Sequence, residues 1–168
     1  VIVHKLTVHP LSILFEHGLP ELDIGVMSHG FTEHGRDYFF VIEDCIGVSP
    51  GTYRLTFTHV VELEYGTAIS PATWSTSWSD EFTDYARWEA AGEPEGYVFG
   101  TNWSLAYPGF TIIEDHPNVS LWTEKLQHPM FAASLASDRF KMTFIFHGAH
   151  MVKLSDAVST VSRVIYPL

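Results

Sequence analysis

The chain has 168 residues, 46% of them hydrophobic and only 17% charged, a composition that folds as a single domain over residues 1–168. Nine basic against 20 acidic side chains leave a net charge of −11, which excludes a nucleic-acid or anionic-membrane binder, since neither is held without a basic footprint. The single cysteine, Cys45, excludes an internal disulfide framework.

Residues 1–8 read as a strand. His9-Pro10 then opens a short helix, with Pro10 where a missing amide does no harm. Leu11, Leu14 and Phe15 share one face of it, and Gly18 ends it. Leu22, Ile24 and Val26 alternate with Asp23 and Gly25 as a strand does. A polar stretch over residues 28–37 separates this strand from another over residues 38–44, so the two form a hairpin.

The clearest periodicity runs from Tyr53 to Tyr65. Tyr53, Leu55, Phe57, His59, Val61, Leu63 and Tyr65 fall on one face, and Arg54, Thr56, Thr58, Val60, Glu62 and Glu64 on the other. Such alternation predicts one long half-buried strand, with His59 on its buried face. A helix is expected over residues 79–91, with Ser79 as its cap, Asp80 and Glu81 in its first turn, and Gly92 and Pro94 stopping it. Residues 93–110 lose regular periodicity yet hold Tyr97, Phe99, Trp103, Tyr107 and Phe110, which predicts a loop packed down by its aromatic rings. Residues 118–127 read as a second helix, stopped at His128-Pro129.

Beyond it Phe131, Ala133 and Leu135 alternate, although a helix over residues 130–136 also fits. Ser137-Asp138 makes a turn, and Phe140, Met142, Phe144 and Phe146 alternate again. Residues 147–150 read as another turn, residues 151–154 as a strand and residues 161–166 as a last one. Tyr53-Arg54-Leu55-Thr56-Phe57 and Phe140-Lys141-Met142-Thr143-Phe144 look alike. Equivalent strands of a pseudo-symmetric sheet would explain it, but amphipathic strands converge easily and coincidence is the preferred reading. The expected class is α+β: a mostly antiparallel twisted sheet with two or three helices packed on one side.

Signatures of dinucleotide, P-loop, serine-hydrolase, zincin and zinc-ribbon chemistry are absent. Three constellations remain. His29 and His34 flank one turn, and with His59 and Glu43 or Glu33 they could converge on a transition metal, which wants three or four N or O donors. The competing reading makes His29 and His34 solvated turn residues and His59 a hydrogen-bonding strand residue. His147 and His150, across a tight turn, form a weaker pair. Glu62 and Glu64 share the wet strand face and could divide acid and base roles only if their surroundings differ. Cys45 has no histidine or helix start beside it in sequence and reads as an inert thiol.

Trp74, Trp78, Trp88, Trp103 and Trp122 are the third constellation. Trp78 suits the core, while Trp88 turns away from Phe82 and belongs nearer the surface, beside Asp80, Glu81 and Asp84. Aromatic anchors among acids suit a surface facing a basic partner. Its candidate residues are Trp74, Asp80, Glu81, Asp84, Trp88 and Trp103.

Phe82-Thr83-Asp84-Tyr85 and the run from Thr101-Asn102-Trp103-Ser104-Leu105 to Ala106-Tyr107-Pro108-Gly109-Phe110, with residues 29–43 and 53–65, resemble the YxiG-like group of uncharacterised bacterial proteins. That resemblance implies a likeness to immunity proteins encoded beside secreted toxins and carries over no functional residues. The expected function is a non-enzymatic acidic module that binds a cationic protein, without cofactor, nucleic acid or membrane. The alternative is a small metal- or ligand-binding enzyme with a histidine-centred site. No basic-then-apolar leader is read at Val1, a start trimmed before it stays open, and the expected location is cytoplasmic. Oligomeric state is not legible.

Overall fold

A computed structural model of the chain describes residues 7–21, 23–32, 34–76, 85–93 and 104–156. The elements are α1 (Pro10–Glu16), β1 (Ile24–Phe31), β2 (Tyr38–Asp44), β3 (Gly51–Thr58), β4 (Glu62–Thr67), α2 (Pro71–Thr76), α3 (Tyr85–Ala90), β5 (Ser104–Ile113), α4 (Pro117–Leu126), β6 (Phe131–Ser137), β7 (Phe140–Phe146) and β8 (Gly148–Asp156). The strands form one eight-stranded antiparallel sheet in the order β4-β7-β6-β5-β1-β2-β3-β8. The α+β class and the antiparallel sheet agree with the sequence pattern. The expected strands over residues 1–8 and 161–166 lie, but for Thr7 and Val8, outside the described residues; those two are not in a strand.

Both well-bounded helices begin at a His-Pro pair. In α1 the His9 ring accepts from the Leu11 N–H at 3.1 Å; in α4 the His116 ring accepts from the Asn118 N–H at 3.2 Å. Each imidazole satisfies one of the orphan donors of a first turn, and the proline takes a position where no N–H is needed.

The strand expected over residues 53–65 is two strands. β3 ends at Thr58, His59 takes a left-handed φ of 52°, and β4 starts at Glu62 beside a different neighbour, β7. His59 is exposed, which corrects its assignment to the buried face. Its N–H donates to Asp37 Oδ1 at 3.0 Å, and the Val60 N–H donates to the Arg36 carbonyl, so the β1–β2 turn holds the kink. Across the break the Val61 N–H donates to Ile145 O and the His147 N–H to Thr58 O. The ladder between β3–β4 and β7–β8 therefore runs on as one kinked ribbon. The turn expected over residues 147–150 is instead the point where β7 passes into β8.

This ribbon bends the sheet back on itself. Phe57 of β3 lies 5.5 Å from Phe110 of β5 and 4.6 Å from Phe144 of β7, ring centre to ring centre, although none of these strands are neighbours. The inward faces thus meet in one core that also takes Leu11 and Leu14 of α1. A second cluster, Met130, Ala132 and Ile145 with Val119 and Trp122 of α4, lies on the alternate positions of β6 and β7.

The strand order is unchanged when β1–β4 are exchanged with β5–β8 and the order is read from the other end. Each half is a four-strand unit, with α4 inserted where β1 and β2 have a short turn. The two five-residue stretches that look alike occupy corresponding strands, β3 and β7. Register extends the match: Leu55 pairs with Phe40 and Met151, and its counterpart Met142 pairs with Leu135 and Tyr65.

β5 occupies part of the stretch expected to be a loop. Its interior contains a cis Tyr107-Pro108 bond and Gly109 at φ 92°, with a register shift between Ala106 and Gly109. A Cβ at Gly109 would stand 3.0 Å from the Glu21 carbonyl oxygen, so both backbone and space require glycine there.

Candidate functional site

The histidines that could have converged on a metal do not. His29 lies opposite Phe40 on β1 and faces inward. Glu43 sits between the buried Ile42 and Asp44, and therefore points to the other face of β2. His34 is exposed in the turn, and the kink carries His59 outward. Among the described residues no group of three or more His, Cys, Asp or Glu side chains is placed to hold a metal ion. Parity removes Glu43, the turn holds His34 in solvent and the kink turns His59 outward.

His29 is instead part of an aromatic cluster. Its Nδ1 is 2.7 Å from the Tyr38 hydroxyl, and its ring lies 4.7 Å from Phe140 and 6.1 Å from Tyr65. Burial lowers the His29 pKa and raises that of Tyr38 to about 12, so at neutral pH both are uncharged. His59 keeps company with His147, 5.9 Å away, whose Nδ1–H donates to Pro129 O; His128 lies 5.5 Å from His147. His147 and His150 fall at the kink and inside β8 rather than across a turn.

The two glutamates have different environments. Glu62 accepts from Asn118 Nδ2 and from Trp122 Nε1 at 2.7 Å, which ties α4 to β4 and lowers its pKa, the Asn118 bond contributing most. Glu64 is exposed. Arg54 lies over the Phe39 ring at 4.3 Å. Cys45 is half-buried in the loop after β2.

Of the expected partner-binding residues, Asp80, Glu81, Asp84 and Trp103 lie outside the described residues, as do residues 79–84 of the expected helix. Its C-terminal part is α3, which carries the half-buried Trp88. Trp74 stands on α2, a helix the sequence reading did not anticipate. It is 40% exposed, and its Nε1–H donates to Thr67 Oγ1 at the end of β4, which fixes the ring on the surface.

A cavity of about 370 Å³ lies between the start of α1 and strands β5 and β6, lined by His9, Ser12, Ile112, Met130 and Phe131 among others. His9 accepts at Nδ1 from its own helix and, as the Nε2–H tautomer, donates to Ala132 O at 3.1 Å. Both bonds suit the neutral ring, and burial lowers its pKa from 6.5. A depressed histidine pKa means that the unfolded chain binds the proton more readily. The stabilisation is then full above pH ~6.5 and is lost as pH falls toward the folded-state value. Stability measured by urea unfolding is expected to decline as pH drops from 7 to 5, and His9→Asn is expected to flatten that slope. An unchanged slope would remove His9 as its source.

The model of the YxiG-like protein family matches residues 9–162. The chain belongs to the YxiG-like family. No curated protein matches it. Among solved structures, an uncharacterised protein from Neisseria gonorrhoeae is similar, at 6% identity and a TM-score of 0.36, over 79% of this chain and 93% of that one. No helix among the described residues is long and apolar enough to cross a membrane.

Proposed function

We propose that this YxiG-like chain is a non-enzymatic acidic binding module of the immunity type, which masks a basic surface of a toxin or another cationic protein in the cytoplasm. The observation that carries the reading is an immobilised, exposed tryptophan, Trp74, on a chain with a net charge of −11. A rigid aromatic anchor supplies contact area at little entropic cost, and a field of one sign recruits the opposite one. Trp88, Trp103, Asp80, Glu81 and Asp84 complete the surface in this reading.

The test is association with a cationic protein that co-purifies with the chain or is encoded beside it. Association at pH 7.5 is expected to slow steeply as salt rises, because ~0.15 M salt already shortens the field to about 8 Å. Trp74→Ala is expected to raise the dissociation rate and leave the association rate nearly unchanged. Binding indifferent to both salt and Trp74 would overturn the reading.

A further inference from the structure

We infer that His59, His128 and His147 form a site for a divalent transition metal of the zinc class at the kink of the ribbon. The site is independent of the binding-module reading, and it shares only His59 with the metal set excluded above.

The three side chains come from segments that the fold holds together. His59 is the kink residue between β3 and β4. His147 stands between β7 and β8 on the facing strand of the ribbon, where its N–H donates to Thr58 O. His128 follows α4; its ring centre lies 5.5 Å from that of His147, whose other neighbour, His59, is at 5.9 Å. Two imidazoles bound to one tetrahedral ion at about 2 Å each have their ring centres about 5 Å apart. Both spacings come close to that value. As the rings stand they do not close on a common point. His59 and His128 are exposed, however, and turn about their side-chain bonds freely, whereas His147 is half-buried and held.

The hold on His147 is what singles out this cluster. Its Nδ1 lies 2.7 Å from Pro129 O. A carbonyl oxygen only accepts, so Nδ1 carries the proton, and Nε2 of the neutral ring presents a lone pair. Metal-ligating histidines are anchored in this way, because a carbonyl on the far nitrogen fixes the tautomer and makes the ligating one more basic. The backbone is shaped around the same place. Of the four non-glycine residues with a left-handed φ among the described residues, one is His59 at 52° and another is Gln127 at 55°, which delivers His128. Such backbone is uncommon outside glycine and gathers at binding sites. Pro129 keeps His128 extended, and the Met130 N–H donates to Thr123 Oγ1 at 3.0 Å, so the connection that carries both His128 and the Pro129 carbonyl is fixed to α4. Three imidazole nitrogens, with water in the fourth position, suit Zn²⁺ and leave Mg²⁺ without the oxygen ligands it needs. An ion there clamps the β3–β4 kink to the β7–β8 crossing and to the end of α4.

The probe is Zn²⁺ alone, added at pH 7.5 to the untagged full-length chain and followed by calorimetric titration, melting temperature and two-bond ¹H–¹⁵N spectra of the imidazoles. One ion per chain is expected, with a Kd on the order of 10 µM. The melting temperature should rise by about 5 °C at roughly a hundredfold excess over that Kd, and Mg²⁺ should leave it unchanged. The spectra should shift at His147 Nε2 while its Nδ1–H persists. His147→Gln keeps an N–H for Pro129 O, and His59→Asn suits the left-handed backbone. Each of these, and His128→Gln, is expected to weaken zinc binding about tenfold or more and to abolish the rise in melting temperature. Titration without saturation, ligation through His147 Nδ1, or binding that survives His147→Gln or His59→Asn would overturn the inference. Where a variant melts well below the parent without zinc, the parent spectra decide: joint perturbation of His59, His128 and His147 supports the site, and any other set of histidines overturns it.

Discussion

Phe57→Ala is expected to cost about 3–5 kcal/mol, the range for deleting a fully buried aromatic ring. The ring has no exposure and touches Phe40, Phe110, Phe144 and Phe146 at 5.8, 5.5, 4.6 and 4.8 Å between centres. Those four rings come from three strands, so truncation opens a void that no single neighbour can fill. Each edge-on pair also adds roughly 0.5–1.5 kcal/mol beyond area burial. For a chain of this size the loss corresponds to a fall in melting temperature on the order of 10 °C. Phe31→Ala, at a ring that is 50% exposed, is expected to cost far less. Comparable losses for the two changes, by calorimetry, would mean that the core does not centre on Phe57.

Gly47→Ala is the second large effect. Asp44 ends β2 facing inward with no exposure, and its Oδ1 accepts from the Ile46 and Gly47 N–H groups at 3.2 and 2.8 Å. A Cβ at residue 47 would stand 2.1 Å from Asp44 Oδ2 and 2.8 Å from its Cγ. Either the buried carboxyl group swings away or the turn opens, and in both cases the N–H groups lose their acceptor. Overpacking costs about 1–3 kcal/mol, and the loss of two N–H bonds to the Asp44 side chain adds to it. Asp44→Asn is expected to be milder, because it keeps an acceptor for the turn and offers an N–H where Oδ2 has no hydrogen bond among the described residues. An alanine variant that melts with the parent protein would sink this account of the turn.

Elements with an unbroken period were legible from the residues. β2 and β7 show their alternation plainly, β6 shows it beside a competing helical period, and α1 carries the His-Pro start that fixes a helix boundary, a signal α4 shares. The break at His59 left no trace for a physical reason. Phe57 and Leu63 lie on either side of it with the same parity, so the alternation passes straight through the kink. No glycine or proline marks it; the left-handed residue is a histidine. In β5 the error ran the other way: the loss of periodicity over residues 93–110 predicted a loop, whereas the sheet absorbs Pro108 and Gly109 as a bulge. Of the alternative metal set, Glu43 was excluded by a rule already available, since it alternates with the inward residues of β2. The aromatic surroundings of His29, and the hold of Asn118 and Trp122 on Glu62, depend on strands far apart in the chain and leave no local signature.

The kinked ribbon has a consequence for how the chain reaches its native state. Thr58 pairs with Gly148 and Glu62 with Ile145, while the first strand pairs with the fifth. Neighbouring strands β1–β2–β3 and β5–β6–β7 pair within their own half, but the halves are joined by the distant pairs β1–β5, β3–β8 and β4–β7. Such non-local pairing places folding in the slow range of topologies, of order milliseconds to seconds, because chain entropy is lost before distant contacts return it. During synthesis the outer edges of β1 and β3 and the whole of β4 wait unpaired until β5, β8 and β7 have been made. Open edges are where strands from different chains join. Yield of soluble protein is thus governed by the time between translation of the two halves, and slowing elongation between them should favour aggregation over recovery.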